Sequence, residues 1–112
     1  MGDIVASLGQ AANSDAFASA TLAAILEKSP TSLEVAFRAI STGSTLSMDE
    51  CMRMEFRILN RMLQGHDFFE GIRAAIIDKG SSPKWRPATL DAVDPAAIEG
   101  YFAPLAEGDL AL

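Results

Sequence analysis

One cysteine and one histidine are all that the sequence offers toward a zinc site, short of the three or four ligands such a site needs. Cys51 has no second thiol in the chain, so an internal disulfide is excluded and a reducing, cytoplasmic compartment is expected. Aromatics are scarce at 7%, with a single Trp and a single Tyr, so stacking on a flat ligand falls to Trp85 or a phenylalanine. No apolar run approaches the roughly 18 residues of a membrane span, and Asp3 stands where a secretory leader carries basic residues. No stretch alternates with the period of a half-buried strand. Gly-rich phosphate loops, nucleophile elbows, paired-carboxylate sites and metal boxes are all missing. The expectation is a chain with no metal, no cofactor, no catalytic residue of its own and no membrane contact.

Positive charge is also lacking from both flanks. Residues 1–50 hold six acids against two bases, 51–86 hold four against seven, and 87–112 hold five against none, which makes the formal net charge of -6. A nucleic-acid partner is therefore not expected. The basic middle third leaves room for a local anion site.

What the sequence has in plenty is helix punctuation. Asp3 to Leu8 reads as two turns before Gly9. Asn13 or Ser14 offers an N-cap to a helix reaching Lys28, with Phe17, Thr21, Ala24 and Ile25 as its apolar stripe. Ser29-Pro30 ends that helix and starts the next, because Ser is a favoured N-cap and Pro fits the first turn. Leu33, Phe37 and Ile40 are expected to face inward, with Gly43 at the close. Ser47 and Glu50 form a capping box flanked by Leu46 and Cys51, opening a helix that runs to about Gln64, with Gly65 just past its end. Asp67 and Glu70 repeat the capping spacing and open a helix through Ile72 and Ile76 to Lys79, closed by Gly80. Between Gly80 and Asp94, Pro83 and Pro87 predict an extended, ordered loop. Asp94-Pro95 caps a last helix, with Ile98, Phe102 and Leu105 in a stripe. The fold class is all-α, a single domain over 1–112 built as a small bundle or orthogonal array of five to six helices. Helices so rich in Ala and Met leave apolar surface suited to another domain.

His66 and Asp67 tempt as a base and its orienting acid, yet Asp67 is already claimed as a cap and no nucleophile is in view. Cys51 reads as a small hydrophobe. Arg53, Arg57 and Arg61 align along one helix face. They read either as a ridge for phosphates or as a solvated face paired with Glu50 and Glu55. Met48, Met52, Met54 and Met62 supply core or an adaptable docking face. Gly71 inside a helix suggests close approach of another backbone. Lys84-Trp85-Arg86 sets a large π-face between two cations, which suits a flat ring beside a phosphate.

Taken in order and spacing, Ser29-Pro30-Thr31-Ser32-Leu33, Met54-Glu55-Phe56-Arg57, residues 65–74 (GHDFFEGIRA), Asp78-Lys79 and Ser82-Pro83-Lys84-Trp85-Arg86-Pro87 resemble a known family. They are similar to the C-terminal region of the 3-hydroxyisobutyryl-CoA hydrolase branch of the enoyl-CoA hydratase/isomerase (crotonase) superfamily, from about Ile4 onward. The resemblance implies a helical region that covers an acyl-CoA site and packs subunits, on a core of repeated ββα units that this chain does not contain. It implies that core as partner, in cis or as a separate chain, a homo-oligomer, and a place in valine catabolism. It also implies a weak acyl-CoA contact through Phe68, Lys79, Lys84 and Trp85. In the wider crotonase pattern the acid and lysine come one residue earlier after the Glu-Gly pair than Asp78-Lys79 do here. The other class open at this point is a stand-alone helical association module derived from that family.

Overall fold

The computed structural model describes residues 1–112 and contains helices and loops with no strand. In chain order they are α1 (Gly2–Ala11), α2 (Ala16–Leu26), α3 (Pro30–Gly43), α4 (Met48–Met62), α5 (His66–Ile72) and α6 (Pro95–Phe102). A π-helical turn, Arg73–Ile77, continues α5, and a 3-10 turn, Leu90–Ala92, precedes α6.

Local chemistry sets most of the helix starts. The Ser29 hydroxyl accepts from the Ser32 amide and Pro30 occupies the first turn of α3. At α4 both halves of the capping box are made, Glu50 N–H to Ser47 Oγ at 3.3 Å and Ser47 N–H to Glu50 Oε2 at 2.8 Å. Asp94 caps α6 through the Ala96 amide. The α2 cap is Asp15, one or two residues beyond the expected Ser14 or Asn13, and its carboxylate takes the Phe17 and Ala18 amides. Gly65 lies past α4 as expected, but its φ of -91° is ordinary and it serves as the N-cap of α5. Gly80, with φ +89°, does close the next segment in the left-handed region.

The core is small. Val35 of α3, Met54 and Ile58 of α4 and Ile98 of α6 are buried together, with Ala39, Leu46, Met62, Val93, Tyr101 and Phe102 packed around them. This places α3, α4 and α6 as one three-helix unit, while α1 and α2 pack against each other as a hairpin. The buried face of α3 is therefore Val35 and Ala39. Phe37 and Ile40, expected inward, stay outside at 42% and 77% exposure. The helix has apolar residues on two faces, and α4 and α6 cover only one. In α2 the expected stripe is split: Thr21 and Ile25 are half-buried on the same side as the buried Ala18, while Ala24 and Phe17, at 75% exposure, face outward. Ala and Thr around that helix give no single face an advantage.

Candidate functional site

The best-organised polar structure lies along α5. Asp67, expected to cap that helix, sits in its first turn with its side chain turned to other elements. Its Oδ2 accepts from the Ser29 hydroxyl at 2.6 Å, and its Oδ1 accepts from the Arg86 amide at 2.9 Å and from His66 Nδ1 at 2.8 Å. Asp67 is buried, so those donors replace water. The Ser29 hydroxyl donates its hydrogen bond to Asp67 and makes none to His66, so the three do not form a nucleophile-base relay. They tie the start of α3, the start of α5 and the 81–86 segment into one knot.

One turn on, Glu70 accepts from Arg73 Nε and Nη2 at 2.8 and 2.7 Å and from the Lys84 amide at 2.7 Å. The Arg73 guanidinium, then the Lys84 amide, hold the Glu70 carboxyl down at about 2. Arg73 also reaches Asp78 Oδ2 at 3.1 Å and Ser81 Oγ at 3.2 Å. The π turn follows from Arg73: the Asp78 amide bonds back five residues to the Arg73 carbonyl at 2.7 Å, where an α-helix would bond back four. The helix therefore widens over Arg73–Ile77 instead of running regularly to Lys79.

Trp85 completes the arrangement. Its indole N–H donates to the Glu27 carbonyl at 3.0 Å, and its ring edge comes against Gly71, where a Cβ would lie 3.4 Å from Trp85 Cη2. A side chain, and not the expected backbone, makes the close approach. Between the end of α2, the α5 turn and this segment opens a cleft of about 630 Å³, lined by Leu26, Glu27, Lys28, Gly71, Ala74 and Trp85 among others. Its size falls within the ordinary range of ligand clefts.

Of the four residues assigned to an acyl-CoA contact, Trp85 lines this cleft, whereas Phe68 lies beside a separate small cavity with His66, Asp67, Arg86 and Tyr101. Phe68 meets Phe69 edge to face at 5.4 Å. Lys79 and Lys84 are exposed, and neither takes part in an ion pair. Lys28, unpaired at the cleft wall, escaped the sequence reading because nothing near it in the chain marks its nearness to Trp85, 57 positions on.

Two arginines of the ridge on α4, Arg57 and Arg61, turn out to be structural, and not through Glu50 or Glu55. Arg57 holds Asp109 in a two-pronged ion pair, with Nε 2.8 Å from Oδ1, and also donates to the Phe102 carbonyl. Arg61 donates to the carbonyls of Tyr101, Ala103 and Pro104. Two guanidinium groups thus satisfy the open end of α6 and fasten the chain beyond it.

This helical frame is shared. The enoyl-CoA hydratase/isomerase family profile matches residues 1–102. The chain belongs to that family. Among enoyl-CoA hydratase/isomerase relatives, the mitochondrial 3-hydroxyisobutyryl-CoA hydrolase of Gallus gallus is 41% identical over 112 residues, 100% of this chain and 29% of that protein. The Danio rerio counterpart is 43% identical over 97 residues, 87% of this chain and 25% of its own length. The crystal structure of a carnitinyl-CoA dehydratase from Mycobacterium thermoresistibile superposes with a TM-score of 0.86 at 36% identity, covering 96% of this chain and 30% of that one. The chain spans between a quarter and three-tenths of the length of these proteins, and it matches the C-terminal part of the hydrolases.

Proposed function

We propose that this chain is the C-terminal helical cover of a 3-hydroxyisobutyryl-CoA hydrolase, packing on a crotonase-type core, closing over the acyl-CoA site and joining subunits. The observation that carries the proposal is uncovered surface. The chain exposes 7338 Å², and only nine of its 112 residues are buried. A globular monomer of this mass exposes about 5,900 Å², so the excess is about 1,400 Å², larger than the roughly 800 Å² per partner of a standard interface. Its radius of gyration of 15.8 Å exceeds the roughly 13 Å of a compact chain of this length. Such a shape is suited to lying on another body.

In this reading the core supplies the oxyanion donors, and the whole protein adds water to the thioester of 3-hydroxyisobutyryl-CoA, releasing CoA and the free acid in valine catabolism. Phe68, Lys79, Lys84 and Trp85 approach the CoA moiety. Without the core that contact is weak, near millimolar, equivalent to about 4 kcal/mol. It weakens with salt, because exposed charges are screened beyond about 8 Å at physiological ionic strength. The cytoplasmic placement rests on the lone thiol, and fractionation tests it against the mitochondrial location in the relatives' names.

Thiol release from 3-hydroxyisobutyryl-CoA tests the function. Pure chain is expected to release none, and adding a crotonase-type core that lacks its own C-terminal helices is expected to give a complex and hydrolysis. Turnover by the chain alone, in proportion to its concentration, would overturn the proposal. Failure to join any such core would leave the stand-alone association module.

A further inference from the structure

We infer that Asp67 and Glu70 are positioning residues for the Trp85 wall of the cleft, each carboxylate holding one backbone amide of the 84–86 segment so that the indole stays seated over Gly71. The two acids lie one helical turn apart on α5. The amides they hold, of Arg86 and Lys84, lie two residues apart on a segment running in the opposite direction. In extended chain such amides point the same way, so a pair of carboxylates on one helix face can take both. Between residues 82 and 91 these two are the only backbone amides that donate to the protein, and Pro83 and Pro87 have none to offer. The path of the cleft wall therefore depends on the two side chains.

Each carboxylate is itself held from behind. Ser29 and His66 fix Asp67, while both prongs of Arg73 fix Glu70, and a further arm of Arg73 reaches Asp78 and Ser81 where the segment begins. Charged acceptors make hydrogen bonds about twice as strong as neutral ones, so the comb grips without a strand partner. Gly71, between the two acids and the π turn, supplies the seat. The segment cannot slide along α5 without giving up both amides and the indole seat together.

The inference rests on the acyl-CoA reading only for the ligand that this wall would meet. The test uses the full chain and the variants Glu70→Ala, Glu70→Gln and Asp67→Asn, read by amide exchange, Trp85 emission and CoA titration. Glu70→Ala is expected to speed exchange at the Lys84 amide about tenfold and to shift Trp85 emission to the red, with Ile58 exchange in α4 unchanged. Glu70→Gln, which keeps the size and one acceptor, should fall between it and the wild type, and it decides the matter should the alanine variant unfold. Asp67→Asn should show its effect at the Arg86 amide. CoA shifts at Lys28, Ala74 and Ala75 should need about threefold more ligand in Glu70→Ala. Unaltered Lys84 exchange and Trp85 emission would overturn the inference, as would a loosened segment with unaltered CoA affinity. A wild-type chain that gives no response at several millimolar CoA would sink the acyl-CoA reading alone, and exchange and emission would still decide the positioning role.

Discussion

At the scale of single residues, the chemistry in this chain is carried by carboxylates acting as acceptors for distant donors. Asp67 has two such donors besides its neighbour His66, and removing it strands the buried Ser29 hydroxyl and the part-buried Arg86 amide. Unmet buried donors cost about 1–3 kcal/mol each, so Asp67→Ala should lower stability by about 3 kcal/mol in urea unfolding. A loss below that of an ordinary surface substitution would contradict the knot. Glu70 gives a pH signature with a definite sign. Its carboxyl is depressed to about 2 from an unfolded value of 4.5, by Arg73 first and the Lys84 amide second. A depressed carboxylate contributes stability that is full above the unfolded value and disappears as pH falls through the folded one. Trp85 emission should therefore hold above pH 4.5 and drift progressively toward pH 2, and Glu70→Gln should flatten that drift.

At the scale of elements, α5 is the rail on which the loop hangs, and Gly71 is its one gap. A Cβ there would meet the Trp85 ring at 3.4–3.6 Å, an ordinary contact, so Gly71→Ala should fold with the indole in place. It should gain up to about 1 kcal/mol from better helix propensity. Gly71→Val extends beyond that contact and should unseat Trp85, seen as a red shift in emission. Stabilisation by both substitutions would show that the ring does not rest on the helix. The arginines of α4 likewise find their partners far along the chain. They were legible as an aligned ridge, but their partners, Asp109 and the carbonyls ending α6, lie 40 to 52 positions away.

At the scale of the whole molecule, surface dominates. Met48 and Met52 on α4, Phe37 and Ile40 on α3, and Ile76 and Ile77 in the π turn all stand exposed. Exposed apolar patches beyond a few hundred Å² usually find a partner. The isolated chain should therefore sediment as a dimer or larger at high concentration. A strict monomer at every concentration would count against the cover proposed here.

The sequence by itself determined where most of the helices lie, the caps of α3, α4 and α6, and the family. A cap, a staple and a proline act within three or four residues, so Ser29-Pro30, the Ser47-Glu50 box and Asp94-Pro95 were readable where they stand. Only the tertiary structure decided which of two apolar faces of α3 turns inward, that Asp67 gathers Ser29 and Arg86 instead of capping α5, and that Trp85 lies between Glu27 and Gly71. In each of those cases the partners are 14 to 63 positions away along the chain. Sequence distance carries no geometry at that range; the packing of helices onto one another supplies it.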